Sequence, residues 1–594
     1  MFLRGIIRKK DGKEHRYFSV VENRRLQNRR VVQRTVLYLG EINDSQQEAW
    51  QKSLEVFDET QEASRQIRLF PEDRPVPEGT LDSVQVKLSQ MRLHRPRAFG
   101  DCWLGCWLWE QLELDRFWEK ALPLGRESVR WSKVLQVLVI NRLIEPGSEW
   151  SIHRHWFLNS AMDQLVGEDF VLAEKNRLYR CLDRLLPHRD ALFSHLKERW
   201  QDLFSARFDV LLYDLTSTYF EGEMEACDQA KHGYSRDGRP DCRQVVIALV
   251  VTPDGFPMAY ELMPGNTSDK TTLKPFLEKI EGQYGKANRV WIMDRGIPTE
   301  EILAQMRTSD TPVSYLVGTP RGRLSKLEAA FLDQPWESIR ESVRVKLLSH
   351  EGELYVLAKS RGRQAKEQAM RRRRLKKLWK SLNKLKEQRP NRDELLLRLG
   401  AARKEAGRAY GLVSVHLPKE DASGRNDTFT FSLNKEKLRQ MRRREGCYLL
   451  RSNLTEENPA VLWEQYILLT EIEAAFKTLK SDLAIRPVYH QLPNRIEAHI
   501  LVAFLAYCLM VTLKKRLNAR APGLTPRAVL KKLSSIQMID VHFPTTDGRE
   551  LRMPRYTQPQ KEHYMILEQL GLQLPPQPPP RITIAGHTEI NPGL

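Results

Sequence analysis

The stretch Phe-Asp-Val-Leu-Leu-Tyr-Asp-Leu-Thr-Ser-Thr-Tyr-Phe at residues 208–220 constrains the fold of this chain most. Residues 210–213 form a short, apolar, β-favouring run, which predicts a buried strand. Asp214 follows directly, and burying an ionised carboxylate is costly unless a cation or good hydrogen bonds compensate it. A strand that carries a carboxylate where it leaves the core is a good place for a metal ion. The same residue would also serve as a strand-end cap or a turn former, so this stretch alone leaves both roles open.

An excess of basic residues points to a polyanionic partner. The 594 residues include 95 Lys and Arg against 76 Asp and Glu, which gives a net charge of +19. Nucleic acid is the simplest such partner, and an anionic membrane surface is the competing one. The sequence shows no signal peptide, and its longest apolar run, residues 500–513, is too short to cross a bilayer and predicts a buried helix. We therefore expect DNA as the partner and no membrane.

Cysteine usage bears on the compartment. Cys102 and Cys106 are spaced to share a helix face, but no second pair of Cys or His completes a zinc site. The seven cysteines are otherwise scattered. This pattern favours reduced core residues, so we expect a cytoplasmic protein.

Composition and periodicity divide the chain into segments. They predict a small basic β/α unit, a helical domain suited to DNA binding, a two-part α/β core with a β-rich basic insertion between the parts, and a carboxyl-terminal segment with a proline-rich tail. The β/α unit is residues 1–70 and the helical domain is residues 80–205. The α/β core comprises residues 206–320 and 461–520, with the insertion, residues 321–460, between its two parts. The carboxyl-terminal segment is residues 521–594. Within them, the polar stretch 45–70 is expected to be helical, and the tail from residue 574 is expected to lack regular structure.

A second strand repeats the pattern of the first. Residues 289–296 read Arg-Val-Trp-Ile-Met-Asp-Arg-Gly, which predicts a buried strand with Asp294 at its exit and Arg295 next to it. Between the two acidic strands, residues 245–252 and 257–262 predict a hairpin. The helical patterns on either side of the second strand make this an α/β arrangement.

The insertion contains a very basic helical run at residues 361–389. It is either a solvated charged arm or an arm that binds phosphates, because a dense run of one sign repels itself without an anionic partner. After the insertion, residues 461–482 predict one long helix. Tyr466, Glu473 and Lys480 recur there every seven residues, so they lie on one helix face. An ordinary solvated face remains the alternative for that trio.

Asp214, Asp294 and Glu473 are candidate ligands for a metal ion. Hard oxygen ligands suit Mg²⁺ or Mn²⁺. Two such ions about 3.5–4 Å apart can activate a water or a 3′-hydroxyl and stabilise the leaving oxygen of a phosphodiester.

With these residues in place, the sequence resembles a bacterial insertion-sequence transposase of the DDE class. That superfamily has a ribonuclease H-like core and a Tyr-x2-Arg-x3-Glu-x6-Lys signature. The signature matches Tyr466, Glu473 and Lys480 with its spacing intact, and Leu469 stands in place of the arginine. The family's first and second acids match the Asp-Leu-Thr-Ser-Thr and Met-Asp-Arg-Gly sequences described above. The resemblance covers roughly residues 205–520 and implies a ribonuclease H-like catalytic core interrupted by a β-rich insertion, preceded by a small β unit and a helical domain.

The resemblance also implies the chemistry. Asp214, Asp294 and Glu473 would be catalytic and would hold two Mg²⁺ (or Mn²⁺) ions. Water would cleave the transposon end, and the freed 3′-hydroxyl would attack target DNA. The enzyme would bind the terminal inverted repeats of its own element as a homodimer, within the bacterial cytoplasm and associated with the nucleoid.

Further residues would contact the DNA. The resemblance implies that Tyr466, Lys480 and Arg295 contact phosphates near the scissile bond. An aromatic residue of the insertion would stack on a flipped base, and Trp336 and Tyr448 are the candidates, although aromatics in β-rich regions are more often core.

Two other functions stay open at this point. Leu469 favours a catalytically degenerate, sequence-specific DNA-binding protein, and the acids alone also fit a ribonuclease H-like nuclease without strand transfer. Asp209, Asp269 and Glu471 are rival carboxylates that lie nearby in the sequence. We rank Glu471 and Asp269 lower, because Glu471 breaks the seven-residue spacing and Asp269 lies in a predicted loop.

Overall fold

The computed structural model of this chain describes residues 83–584, with gaps at 125–129, 168–169, 226, 286–288, 309–312, 320–322, 325–326, 328–329, 332–333, 389, 418–428 and 457. Between residues 2 and 71 it describes the bounds and pairing of the strands only.

The strands in chain order are β1 (Phe2–Lys10), β2 (Lys13–Arg25), β3 (Val31–Ile42), β4 (Leu54–Asp58), β5 (Ala63–Pro71), β6 (Ser83–Val86), β7 (Arg92–Ala98), β8 (Val210–Tyr219), β9 (Gln244–Val251), β10 (Pro257–Pro264), β11 (Val290–Met293), β12 (Ser314–Gly318), β13 (Glu337–Arg340), β14 (Val343–His350), β15 (Glu353–Ser360), β16 (Val413–His416), β17 (Thr430–Leu433), β18 (Cys447–Ser452), β19 (Gln537–Pro544), β20 (Arg549–Tyr556) and β21 (Arg581–Ile584).

The helices in chain order are α1 (Gly100–Gln111), α2 (Leu114–Ala121), α3 (Trp131–Ile144), α4 (Glu149–Ser151), α5 (Met162–Val166), α6 (Lys175–Leu182), α7 (Arg189–Phe204), α8 (Leu273–Tyr284), α9 (Glu300–Thr308), α10 (Arg361–Gln388), α11 (Arg392–Ala406), α12 (Lys435–Arg444), α13 (Pro459–Ile467), α14 (Leu469–Lys477), α15 (Pro493–Arg520), α16 (Pro526–Leu533) and α17 (Lys561–Leu570).

The chain divides into two compact units. The first comprises Met1–Leu186 with Leu501–Leu594, and the second comprises Pro187–Ile500. The first unit is therefore built from both ends of the chain, whereas the second is one continuous segment.

The first unit contains two sheets. Strands β1, β2 and β3 form an antiparallel sheet, as expected for a small amino-terminal β unit. A seven-stranded sheet has the order β6-β5-β4-β21-β20-β19-β7. The helix predicted within residues 45–70 is wrong, because β4 and β5 occupy that stretch. The tail from residue 574 was predicted to lack regular structure, but it contains a strand, β21, which pairs with β20 and β4.

Helices α1 to α6 make up most of residues 100–182, but strands β6 and β7 occupy the start of the segment 80–205, which was predicted to be helical. The periodic apolar side chains that indicated these helices are buried in them, for example Trp103, Leu108, Leu135 and Leu138. Among the described residues, α15 alone is long and apolar enough to span a membrane, with a mean hydropathy of 2.0 over its most apolar window. That window is 94% buried inside the protein, so α15 has the burial of a core helix.

The second unit is built on a mixed nine-stranded sheet with the order β10-β9-β8-β11-β12-β18-β15-β14-β13. Strands β8, β9 and β10 form an antiparallel meander, and β11 and β12 run parallel to β8. Every residue of β9 is buried, which explains its unbroken apolar sequence. The unit is thus a mixed α/β structure, as predicted.

The residues of the predicted insertion do not form a β domain of their own. Strands β13, β14, β15 and β18 continue the large sheet, because β18 pairs with β12. The remainder is largely helical. Helices α10 and α11 pair through a leucine cluster, and Asn391 caps the start of α11. The basic run therefore forms the long helix that its composition predicted.

Residues 461–482 do not form one continuous helix. Asn458 caps α13 and Pro459 is its first residue. Helix α13 ends at Ile467, α14 begins at Leu469, and a wide π turn, Thr478–Asp482, follows α14.

Candidate active site

Two neighbouring strands bring their carboxylates to the same edge of the large sheet. β8 and β11 are parallel, and Tyr213 pairs with Met293 at the end of their shared register. Asp214 and Asp294 each follow directly. The chain continues from β8 into β9 and β10 on one side and then returns as β11 on the other side. Ligands bind at the carboxyl ends of strands where the strand order reverses in this way, so this position is typical of an active site.

Asp214 lies among other acids. It is partly exposed, whereas Tyr213 and Leu215 on either side of it are buried. Burial raises the pKa of the Asp214 carboxyl to about 7, and the negative charges of Asp294 and Glu473 add to this effect. The backbone N–H of Leu215 acts in the opposite direction. The charges of the other two predicted acids therefore act on the Asp214 carboxyl.

Tyr466 contacts the second acid. Its hydroxyl donates a hydrogen bond of 3.1 Å to Oδ1 of Asp294. Burial and the charge of Asp294 raise the pKa of the Tyr466 phenol well above its usual range, so it remains a protonated donor at neutral pH. Gly318 at the end of β12 makes room for the phenol, because a Cβ there would lie 2.5 Å from the Tyr466 oxygen.

The third acid comes from a helix. Glu473 is exposed on α14, whereas Ile472 and Phe476 of the same helix are buried and α14 packs against β8 and β9. Leu469, at the position of the signature arginine, is also buried. That position therefore belongs to the core and presents no cation to the site.

The three carboxylates suit hard divalent cations. Carboxylate oxygens are preferred ligands of Mg²⁺ and Mn²⁺, and a cation among them would lower the pKa of Asp214. The oxygens of Asp214, Asp294 and Glu473 do not all lie within 4.8 Å of one another.

Lys480 has a protein partner. Its ammonium donates to Oδ1 of Asp237 over 2.6 Å, and the Arg486 guanidinium pairs with the same oxygen. The Asp237 side chain is only 3% exposed, and its Oδ2 has no hydrogen-bond partner within the described residues. Burial lowers the pKa of Lys480, and Asp237 opposes that shift. The predicted contact of Lys480 with phosphate stays a prediction. In the structure the Lys480 ammonium is paired with Asp237.

Sequence reasoning missed the loop between β8 and β9. Arg236 donates from its backbone N–H to Ser217 Oγ over 3.3 Å and from its guanidinium to Asp269 over 2.5 Å. Its charge opposes the raised pKa of Asp214. Asp237 lies in the same loop. Its residues follow no period and match no motif, so no sequence signal pointed to Arg236 or Asp237.

The rival carboxylates have other surroundings. Asp269 is engaged by Arg236. Asp209 precedes β8, five residues before Asp214, and its backbone carbonyl accepts from the backbone N–H of Val290. Five residues of strand separate Asp209 from Asp214 by roughly 16 Å. Asp269 is thus already paired with a cation, and Asp209 lies away from Asp214.

The DNA-contact candidates lie in different places. Arg295 and Tyr448 line one cleft of about 730 Å³. One face of the Tyr448 ring is covered by the Arg363 guanidinium, 3.8 Å from the ring centroid. Trp336 does not line this cleft; it is 39% exposed, with the Lys346 ammonium 5.0 Å from its ring centroid. Of the two aromatic candidates, only Tyr448 shares a cleft with Arg295.

Comparisons with known proteins bear on the family of this chain. The family described as "Transposase DDE domain" matches residues 207–509, about half of the chain, and "IS1634 family transposase, N-terminal domain" matches residues 3–63. No curated protein matches. Among solved structures, a cryo-EM structure of a piggyBac transposase synaptic complex with hairpin DNA matches with a TM-score of 0.35 and 8% identity, over 75% of this chain and 82% of that chain. The family matches show that the chain belongs to the insertion-sequence transposases with a DDE domain.

Proposed function

We propose that this transposase cuts DNA at the ends of its insertion sequence and joins the freed 3′-hydroxyl groups to target DNA. The observation that carries the proposal is that Asp214 and Asp294 follow the last paired residues of the parallel strands β8 and β11, with the charges of Asp294 and Glu473 acting on Asp214. The net charge of +19 supports a double-stranded DNA partner, namely the terminal inverted repeats and the target.

The chain's own residues divide the work. Asp214, Asp294 and Glu473 would hold two Mg²⁺ or Mn²⁺ ions, and such ions would supply activation of a water or 3′-hydroxyl and stabilisation of the leaving oxygen. Tyr466 orients the Asp294 carboxylate through its hydroxyl. Arg295, which is exposed and follows Asp294, would contact a phosphate near the scissile bond.

We assign the remaining parts on the same basis. The two-part core around β8, β11 and α14 is ribonuclease H-like in this proposal, and the helical residues 80–205 and the basic amino-terminal unit bind the element's ends. Two copies would act together on the two ends, in the cytoplasm and on the nucleoid. Lys480, Trp336 and Tyr448 are further candidates for DNA contact, with Tyr448 favoured by its place beside Arg295.

The decisive experiment measures nicking of DNA that carries the element's ends, with and without Mg²⁺. We expect Mg²⁺-dependent nicking by the wild type and its loss in Asp294→Ala, because one of the metal ligands is removed. Asp209→Ala is the matched control, since it removes an exposed acid just before the start of β8. Nicking by Asp294→Ala at the wild-type rate would contradict the assignment.

Two alternatives have distinct outcomes in this assay. The burial of Leu469 at the signature position favours a DNA-binding protein without catalysis. That protein would bind the element's ends and cut nothing at any Mg²⁺ concentration. A nuclease without strand transfer would nick DNA but yield no joined products when target DNA is added.

A further inference from the structure

A basic cleft lies in the second unit beside the second acid. It is formed by the first turns of α10, the residues around the start of β18, and the turn that follows β11. The residues that line it are Arg295, Ser360, Gly362, Arg363, Lys366, Glu367, Met370, Arg371, Arg374, Arg408, Ala409, Met441, Glu445 and Tyr448. We refer to this set as the basic cleft.

The acids that line the basic cleft are already engaged. Glu445 accepts two hydrogen bonds from Arg371, of 2.6 and 3.2 Å, and both side chains are buried. Glu367 accepts from Arg363 over 2.9 Å and from the backbone N–H of Gly446 over 3.0 Å. These contacts neutralise the negative charge and leave it unavailable to other cations of the cleft.

Four cations of the basic cleft are left over. All four are exposed, and none of their side chains has a hydrogen bond or ion pair to any described residue. They are Arg295, Lys366, Arg374 and Arg408. Four unpaired positive charges around one cleft attract an anion that carries several charges in a row. A single phosphate would not use all four.

Two of the four cations lie on one helix. Lys366 and Arg374 are at helical spacing along one side of α10, with Met370 between them. From Lys366 to Arg374 the helix advances roughly 12 Å. A DNA strand places one phosphate about every 3.4 Å along the duplex axis, so this length spans several phosphates.

The cleft is held in shape by close packing at its floor. Gly446 has a φ of +80°, and a Cβ there would lie 2.7 Å from both the Ser360 carbonyl oxygen and the Gln364 Cβ. The start of α10 therefore lies directly against the backbone before β18. Together with the buried pair of Arg371 and Glu445, this contact fixes the helix beside the sheet before any ligand binds.

We infer that the basic cleft holds the backbone of a DNA strand beside the scissile phosphate. Arg295 joins the cleft to the adjacent Asp294, and Lys366, Arg374 and Arg408 bind successive phosphates. This inference rests on the proposed function, and it assigns DNA binding to one side of α10 rather than to the whole basic run.

The test compares two triple variants of equal charge. Lys366→Ala with Arg374→Ala and Arg408→Ala removes the three cleft cations. Arg372→Ala with Arg373→Ala and Lys376→Ala removes three exposed cations of the same helix that do not line the cleft. The probe is a random-sequence DNA duplex, titrated in EDTA at several salt concentrations. Circular dichroism and thermal unfolding establish that both variants are folded.

We expect the cleft variant to bind DNA at least tenfold more weakly than the control variant. Because each lost phosphate contact lowers the slope of log affinity against log salt by about 0.9, its slope should fall by roughly 2–3. The control variant should lose only the DNA affinity that its lower net charge accounts for. Equal losses in the two variants would overturn the inference and leave net charge as the cause.

Failure of this inference is distinguishable from failure of the proposed function. If Asp294→Ala abolishes nicking while both triple variants bind alike, the cleft assignment is wrong and the catalytic one stands. If the wild type shows no metal-dependent nicking, and DNA binding is weakened in the cleft variant and not in the control variant, then the cleft is a binding site and the catalytic proposal is wrong.

Discussion

At the scale of single residues, the site combines an acid whose ionised form is disfavoured with others that are oriented by neighbours. Asp214 is disfavoured as an anion by burial and by two nearby acids. Asp294 is oriented by the Tyr466 hydroxyl. Such a set destabilises the fold in the absence of cations, because like charges are gathered at one edge of the sheet. Stability and metal binding should therefore be linked at Asp214.

Replacing Asp214 with Asn should stabilise the metal-free protein at alkaline pH. The folded-state pKa of about 7 lies above the ordinary 3.8, so the unfavourable ionisation of Asp214 costs more stability as the pH rises between those values. In EDTA at pH 8 we expect Asp214→Asn to raise the free energy of unfolding by roughly 1–3 kcal/mol, with the gain vanishing towards pH 4. Denaturant titrations at the two pH values measure it.

Added Mg²⁺ provides the control for that experiment. The wild type should gain stability with Mg²⁺ and Asp214→Asn should gain less, because an amide is a poorer ligand for a hard cation. Equal Mg²⁺ responses of the two proteins would contradict a metal role for Asp214.

Removing Asp237 should destabilise the protein far more than removing an exposed acid of the same loop. Asp237→Ala leaves Lys480 and Arg486 without their shared counter-charge in a largely enclosed place, which should cost roughly 2–4 kcal/mol. Asp241→Ala is the matched control, because Asp241 is 62% exposed where it pairs with Arg239. We expect Asp241→Ala to leave stability nearly unchanged, because exposed ion pairs contribute little. Similar losses in the two variants, measured by urea unfolding, would show that Asp237 has no special role.

At the scale of elements, the site depends on the ends of three parallel strands. Asp214 lies on β8, Asp294 follows β11, and Gly318 ends β12. Gly296, with a φ of +95°, turns the chain away after Asp294 and Arg295. The phenol of Tyr466, from α13, fills the space above β12 and reaches the second strand.

Gly318→Ala should disturb the site through Tyr466. The new methyl group would lie 2.5 Å from the Tyr466 oxygen, so the phenol must move away from Asp294. We expect a loss of roughly 1–3 kcal/mol in stability and a slower nicking rate. In a Tyr466→Phe background the same substitution should cost less, because the clashing oxygen is gone.

The control for this cycle is Gly400→Ala in α11, where a Cβ meets nothing within 4 Å. That change should be neutral or slightly stabilising, since alanine favours a helix over glycine. Strict additivity of Gly318→Ala and Tyr466→Phe would indicate that the two residues do not act on each other.

How much of this could be predicted from the sequence depends on how local each signal is. An apolar run that ends in an acid marks a strand within a few residues, and this pattern predicted the two acidic strands and the α/β core. Lys480 was recognised by its spacing, but its partner Asp237 lies 243 residues earlier in an aperiodic loop. The sequence also did not predict that β13, β14, β15 and β18 belong to the large sheet. The neighbours of a strand depend on pairing between distant segments, which no local pattern encodes.

At the scale of the whole molecule, the first unit joins the two ends of the chain in one sheet. β21 pairs in parallel with β4 and antiparallel with β20, so a strand near the carboxyl terminus connects amino-terminal strands to β19 and β20. The proline-rich sequence before β21 suggested an unstructured tail. In the described structure this segment instead leads into an interior strand of a seven-stranded sheet.

Truncation should reveal that connection. A chain that stops after Ile584 keeps β21, whereas one that stops after Leu574 loses it and exposes the unpaired edges of β4 and β20. We expect the longer chain to unfold like the full protein and the shorter one to lose several degrees in thermal midpoint and become sensitive to protease near β4 and β5, because open edges leave backbone groups unpaired. Metal-dependent nicking of nonspecific DNA should survive better than binding to the element's ends, since the acids belong to the second unit. If both chains resist protease equally, β21 is not needed to close the sheet, and the amino-terminal strands are held by other contacts.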